Sequence, residues 1–257
     1  MSAPDRPAEP WARLAALTPA RIGLGRAGSG LGTHETLRFA LAHAQARDAV
    51  HAALDEDALA TELGKLGLDS LRVASRAAGR ASYLLRPDLG RSLDAASRAA
   101  IEGRASAGCD IALVIADGLS ASAVTAQAAA LLAAFLPLSQ EQGWSLSPAV
   151  IVSQGRVAIG DEIGALLGAR LALLLIGERP GLSSPDSLGL YITHAPRPGR
   201  NDGERNCVSN IHGAGLSPVE AAARAAWLID ASLSRGLSGV ALKDESASSM
   251  SPRLGSL

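Results

Sequence analysis

The sequence is short of cysteine, aromatic side chains, excess charge and long apolar runs, and each shortage excludes a class of protein. Two cysteines in 257 residues, Cys109 and Cys207, cannot form a disulfide framework, and usage so sparse fits a reducing compartment. Aromatics make up 3% of the chain, which leaves few platforms on which bases could stack. Lys and Arg number 24 against 25 Asp and Glu, so there is no basic excess to neutralise phosphates, and nucleic acid is not expected as a partner. The longest apolar run, Ala128 to Leu136 ahead of Pro137, is too short to cross a bilayer. Asp5, Pro7 and Glu9 stand where a signal peptide needs apolar residues. The expectation is a cytoplasmic protein without a membrane span. His34, His43, His51, His194 and His212 show no H-x-x-x-H spacing and the cysteines no C-x-x-C, so no metal site is expected.

What is present divides the chain by period. Three prolines among polar residues up to Pro10 predict a mobile tail over residues 1–20. Leu37, Ala40, Leu41 and Ala44 recur at helical spacing and predict an amphipathic helix from Thr33, its cap, to about Val50. Asp55 caps a second helix carrying Leu59, Leu63 and Leu66. Helical pattern continues over Ser70–Arg80 and Leu89–Glu102, interrupted at Arg86-Pro87-Asp88. With no strand pattern before about residue 109, residues 21–108 read as a helical N-terminal domain. Ala74 and Gly79 are small for such a segment, and Gly79 should weaken its helix.

Beyond residue 109 apolar runs typical of buried strands appear at Asp110–Ala116, Ala149–Ser153, Leu171–Ile176 and Leu190–Thr193. Helical runs at Ser120–Leu136 and Asp161–Leu167 separate the first three, an alternation that indicates βαβ units and a parallel sheet. Ser217-Pro218-Val219-Glu220 has the form of a capping box with Pro at N1, opening a last helix to about Leu233. Val240–Leu242 reads as a short edge strand, and the Ser-rich end over 244–257 as disordered. The fold class expected is α/β: an N-terminal helical region followed by a Rossmann-like parallel-sheet domain over residues 109–243.

Chemistry is expected where strands leave the core, because open α/β sheets bind ligands outside the carboxyl ends of their strands. Glu178 stands there, after the run Leu171–Ile176 and between Gly177 and the rigid Pro180-Gly181 turn. A carboxylate so placed can accept hydrogen bonds from amide N–H donors on a bound molecule. Two rival patterns are incomplete. Gly23 to Gly28 matches G-x-G-x-x-G, yet Thr18 to Ile22 is a poor strand to precede a dinucleotide site. Ser120 lies at a strand-to-helix turn, yet Gly118-Leu119-Ser120-Ala121-Ser122 lacks the second glycine of a hydrolase elbow, and helix capping is its simpler role.

Six segments carry a family resemblance: R-I-G-L-G-R-A-G-S-G with R-F-A-L-A-H-A-Q-A-R-D-A-V, Y-L-L-R-P-D-L-G-R, G-R-V-A-I-G-D-E-I-G, G-E-R-P-G-L-S-S-P-D-S-L-G and E-R-N-C-V-S-N-I. Together they span about Arg21 to Lys243, and in these the chain resembles the small (light) subunit of adenosylcobalamin-dependent ethanolamine ammonia-lyase. The resemblance implies that Val157, Glu178 and Cys207 contact the cobalamin, and the loops carrying them are expected to converge on one edge of the sheet. Cys207 lies in Arg205–Asn210, which reads as a polar loop ahead of a helix, and no nucleophilic role is expected because the sequence supplies no base for it. The resemblance further implies a lyase that turns ethanolamine into acetaldehyde and ammonia by radical chemistry supplied by the cofactor. It also implies a large catalytic subunit with a TIM-barrel fold, an assembly of six large and six small subunits, no activity of this chain alone, and a setting that in some hosts is a bacterial microcompartment. No histidine follows an Asp by two residues, so the D-x-H-x-x-G route to a protein ligand on cobalt is absent here.

Overall fold

A computed structural model describes residues 9–18, 20–104 and 108–246 of the chain. The sheet is built from apolar runs that need cover on both faces. Helix α1 (Glu9–Ala16) and a hairpin of β1 (Arg26–Ala27) and β2 (Gly30–Leu31) precede the helices α2 (Thr33–His51) and α3 (Glu56–Lys65). Strand β3 (Ser70–Ala74), α4 (Arg80–Leu85) and α5 (Ala95–Glu102) lead to β4 (Cys109–Ala116), α6 (Ala121–Glu141), β5 (Ala149–Ser153) and α7 (Ile159–Leu166). Strands β6 (Ala169–Gly177), β7 (Leu188–His194) and β8 (Arg205–Ile211) follow, and α8 (Pro218–Arg235) closes the fold.

The main sheet has six strands in the order β3-β5-β4-β6-β7-β8. The first four are parallel, and β7 and β8 run antiparallel to their neighbours. Because side chains alternate along a strand, β4 sends Ile111, Leu113 and Ile115 to one face and Val114 and Ala116 to the other. The first face packs Leu131, Leu132 and Phe135 of α6 and Leu228 and Ile229 of α8. The second packs Ile101 of α5 with Ile159 and Ile163 of α7. Helix α6 is long and apolar enough to span a membrane, but here its buried residues belong to the first core.

Charged ties fasten α7. Asp161 and Arg205, with side chains 2% and 3% exposed, form a buried ion pair between α7 and β8. Glu162 accepts from the Leu93 amide at 2.9 Å and pairs with Arg98 of α5. Burial pushes the Asp161 pKa up against the opposing pull of Arg205.

At each edge of the sheet the chain's own loops cover one end of the edge strand. Beside β3, the Arg76 amide donates to Ser92 O at 2.9 Å and the Asp94 amide to Ala74 O at 3.1 Å. Beside β8, the Asn206 amide group donates to Leu242 O and its oxygen accepts from the Gly239 amide, each at 2.8 Å.

Several local expectations hold. Asp55 caps α3 by accepting from the Ala58 amide at 2.9 Å, and Ser217 with Glu220 forms the capping box of α8 with Pro218 at its start. Others are corrected. The expectation of helix over Ser70–Arg80, and of no strand before residue 109, is not met: Ser70–Ala74 is β3, paired along its length with β5. Its Leu-Arg-Val-Ala pattern is too short to separate the two periods, and the ready partner β5 decides it. Gly79 caps α4 and does not interrupt a helix. Thr33 is the first helical residue of α2, and Gly32 occupies the cap. The expected α2 stripe does not enter a core: Leu37 and Leu41 are 64% and 59% exposed and Ala40 is exposed too, while Ala42 and Ala49 are the buried residues of the helix. Helix α6 runs through Pro137 to Glu141 instead of ending at Leu136, and Val240 lies in a 3-10 turn instead of an edge strand. The tail expected over residues 1–20 includes α1, while residues 1–8 and the Ser-rich end from 247 lie outside the described residues.

Val73 points from β3 into the second core and is 5% exposed. Val73→Ala should lower the unfolding free energy by about 2 kcal/mol in urea denaturation. The same change on an exposed helix would be neutral or stabilising.

Candidate functional site

The site begins with a turn seated on a strand end. After β4, Gly118 adopts φ +58°, and the Leu119 amide donates to Gly177 O at the end of β6, at 2.9 Å. A Cβ at Gly177 would run into the carbonyl oxygens of Asp117 and Ser120, so only glycine lets the two segments meet this closely. The chain leaves β4 through α6 toward β5 and leaves β6 toward β7 on the other side, so a crevice opens between the two carboxyl ends. It is an open hollow of about 390 Å³, and both tyrosines of the chain, Tyr83 and Tyr191, line it.

Glu178 sits on the rim of this hollow, half-buried, and is not a free loop carboxylate. Its Oε2 accepts from Ser187 Oγ at 2.6 Å and from the Asn210 amide at 3.3 Å. Asn210 reaches that position in the left-handed conformation, φ 62°, which Asn tolerates. The side chain lies over Gly189, where a Cβ would come within 2.9 Å of Oε1. Among the described residues no donor meets Oε1. One carboxylate oxygen therefore anchors the group while the other remains available as an acceptor.

Val157 follows β5, is half-buried and packs on the second core while lining the hollow. Cys207 does not line it. The residue lies within β8 and not in a loop, on the exposed edge of the sheet, paired with Tyr191 of β7. Burial raises the pKa of both the Tyr191 hydroxyl and the Cys207 thiol, with the nearby Glu178 charge adding to each. Cys207 is thus a neutral thiol behind the wall that Tyr191 forms. The expected convergence of the three loops carrying Val157, Glu178 and Cys207 is therefore met for the first two only, and the loop after β4 supplies Gly118 and Leu119 to the hollow instead.

Reading the sequence missed Tyr83, Tyr191 and Arg156. Tyr83 is fully buried, donates from its hydroxyl to Gly155 O at 3.0 Å and has Arg156 stacked 4.1 Å over its ring. Burial pushes its pKa up to about 12, so it remains a donor. The scarcity of aromatics was the available signal, since a chain with two tyrosines that both face one hollow spends them there.

Asp117 is buried beneath the turn, accepting from the Gly155 amide at 3.1 Å with Arg80 Nη1 3.7 Å away. Burial outweighs these partners and raises its pKa to about 6. The rival patterns have structural roles. Gly23–Gly28 leads into the β1–β2 hairpin, with no strand before it among the described residues. Ser120 caps α6, accepting from the Ala123 amide and donating to Pro185 O at 2.8 Å, and no histidine meets it among the described residues.

An open α/β sheet with an acceptor carboxylate and an uncovered crevice at the carboxyl ends of its central strands defines a ligand-facing α/β protein. The residues 8–243 match the model of the family described as ethanolamine ammonia-lyase light chain (EutC), and the chain belongs to that family, as the small subunit of a lyase. Proteins named ethanolamine ammonia-lyase small subunit are similar over nearly the whole length. That of Bradyrhizobium diazoefficiens is 55% identical over 99% of this chain and 98% of its own. That of Rhodopseudomonas palustris is 59% identical over 91% and 89%, and that of Xanthomonas campestris pv. campestris 54% over 95% and 92%.

An acid whose folded-state pKa is raised favours folding when protonated, so its contribution is full below about pH 4 and lost as pH rises through about 6. Comparing urea denaturation of the wild type and Asp117→Asn between pH 4 and 7, the wild type should lose about 3 kcal/mol relative to the variant.

Proposed function

We propose that this chain is the small subunit of an adenosylcobalamin-dependent ethanolamine ammonia-lyase and forms one wall of the cobalamin site, the large subunit forming the other. The observation that carries the reading is Glu178: a carboxylate fixed at the end of β6 with one oxygen free, facing a hollow open to solvent. The corrin ring is fringed with amides, which suit such an acceptor. Val157 and Ile176 offer apolar surface beside it, and Tyr191, paired in register with Cys207, completes the wall. A hollow of about 390 Å³ is too small to enclose a corrinoid, so a second surface has to complete the site. The residues fit the group on both counts.

When bound, adenosylcobalamin supplies the radical that allows the amino group of ethanolamine to migrate and leave as ammonia. The work of this chain is placement. Glu178 would accept from a corrin amide, Val157 would carry the ring edge, and Cys207 would stand behind its strand partner Tyr191. None of the three moves a proton in the reaction, and the raised pKa of Cys207 suits a contact residue. Substrate groups come from the large subunit, so the chain alone is inactive. Exposed Leu31, Leu37, Phe39 and Leu41 give a partner apolar surface to cover. The assembly has six copies of each subunit, is cytoplasmic, and in hosts that build one lies in a microcompartment. Within the chain, residues 109–243 form the main cobalamin-contacting unit, to which residues 21–108 add β3 of the sheet and Tyr83 of the hollow.

The deciding experiment measures acetaldehyde from ethanolamine and adenosylcobalamin with this chain alone, the large subunit alone and the two together. Activity should appear only in the mixture; its absence from a mixture shown to be assembled would overturn the reading. In the assembled enzyme, Glu178→Ala should weaken adenosylcobalamin binding by at least about tenfold while the subunits still associate on size exclusion. Unchanged affinity would mean that the site lies elsewhere.

A further inference from the structure

Beside the crevice lies a second hollow of about 380 Å³, and Arg156 and Val157 are common to both. Its walls carry four arginines, Arg91, Arg156, Arg200 and Arg205, and one carboxylate, Asp202. Three of the segments that mark the family meet there: Tyr83–Arg91, the stretch from Gly155, and the stretch from Glu204. The charges do not cancel evenly. Arg205 pairs with Asp161 and Asp202, and Arg200 with Glu204. Arg91 and Arg156 pair with no carboxylate among the described residues.

Arg156 is held as a rigid donor. Its amide donates to Gly90 O at 2.7 Å, its Nη2 donates to Tyr83 O at 3.1 Å, and its guanidinium stacks on the Tyr83 ring. Its stem crosses Gly90 where any Cβ would come within 2.7 Å of Arg156 Cγ, so the backbone there is shaped around this side chain. Its Nε is sealed without an acceptor, while its Nη1 meets no acceptor among the described residues and is the donor left for a molecule in the hollow. Buried donors are seldom left unpaired, and a planar guanidinium with free N–H groups matches a phosphate oxygen pair.

Resting on the cobalamin reading above, we infer that Arg156, with Arg91, binds the phosphodiester of the cofactor's nucleotide tail. The tail then occupies the arginine-lined hollow while the corrin amides meet Glu178 across the shared wall. That phosphodiester is the one fixed negative charge of the cofactor, and the unpaired arginines stand next to the crevice that takes the ring.

The test uses the assembled two-subunit enzyme, with adenosylcobalamin and adenosylcobinamide, which lacks the nucleotide and its phosphodiester. Equilibrium dialysis gives both affinities, and the ³¹P resonance of bound adenosylcobalamin reports the phosphodiester directly. Arg156→Met should weaken adenosylcobalamin by at least about tenfold, leave adenosylcobinamide within about twofold, and return the ³¹P shift toward its free value. Arg156→Lys should recover part of the affinity, and Arg91→Met, at an exposed position, should cause a smaller selective loss. Equal loss of both corrinoids would assign Arg156 a structural role at Tyr83 and overturn the inference, as would an unchanged ³¹P shift in an assembled Arg156→Met enzyme. Failure of the wild type to bind adenosylcobalamin at all would instead remove the cobalamin reading on which the inference rests.

Discussion

The close approach of the β4 turn to the end of β6 is the constraint on which the site depends. Gly177 has no side chain to hold the strands apart, so the Leu119 amide bonds to its carbonyl and the turn of residues 117–120 lies flat across the strand end. Three things follow from that seat. Asp117 is sealed beneath the turn, Ser120 arrives where it caps α6, and Glu178, the next residue after Gly177, is delivered to the rim. The position of the carboxylate is therefore a property of the sheet and not of a flexible loop. Sites built on regular elements are held more tightly than sites on loops alone.

The N-terminal segment is tied into this arrangement through few but specific groups. Strand β3 adds to the sheet, and Tyr83 inserts its ring between Arg80, 4.8 Å away, and Arg156. Arg80 in turn donates to Gly118 O at 2.8 Å, which joins α4 to the same turn that rests on Gly177. One aromatic ring with two cations thus couples the segment before residue 109 to the crevice. On the opposite side, the Asp161–Arg205 pair does the same for β8, which carries Cys207.

The parts of this structure that could be read from the sequence are those with long periods and local chemistry. The buried runs of β4, β5 and β6, the capping box at Ser217 and the emergence of Glu178 at a strand end all follow from patterns within a few residues. What could not be read depends on partners far along the chain. The five residues of β3 are ambiguous alone and become a strand because β5 presents a parallel edge to them. Cys207 lies in a polar stretch that looks like loop, because β8 is an edge strand whose alternate residues face solvent. Leu37 and Leu41 have helical spacing, yet spacing does not say what a face meets, and within this chain it meets little. Tyr191 and Arg156 enter the site by strand pairing and by a stacking contact across 73 positions of sequence, neither of which leaves a local mark.

The partial covering of the sheet edges bears on how copies of this protein can meet. An open edge strand offers a row of unpaired backbone groups to any other edge, and proteins at high local concentration are exposed to that pairing. Here the loop through Ser92 and Asp94 closes the end of β3, and Asn206 fastens the segment after α8 beside the start of β8. Each edge is thereby shortened. The less backbone an edge leaves open, the more neighbouring chains depend on side-chain shape and charge, which sequence can tune, instead of backbone pairing, which any strand can imitate.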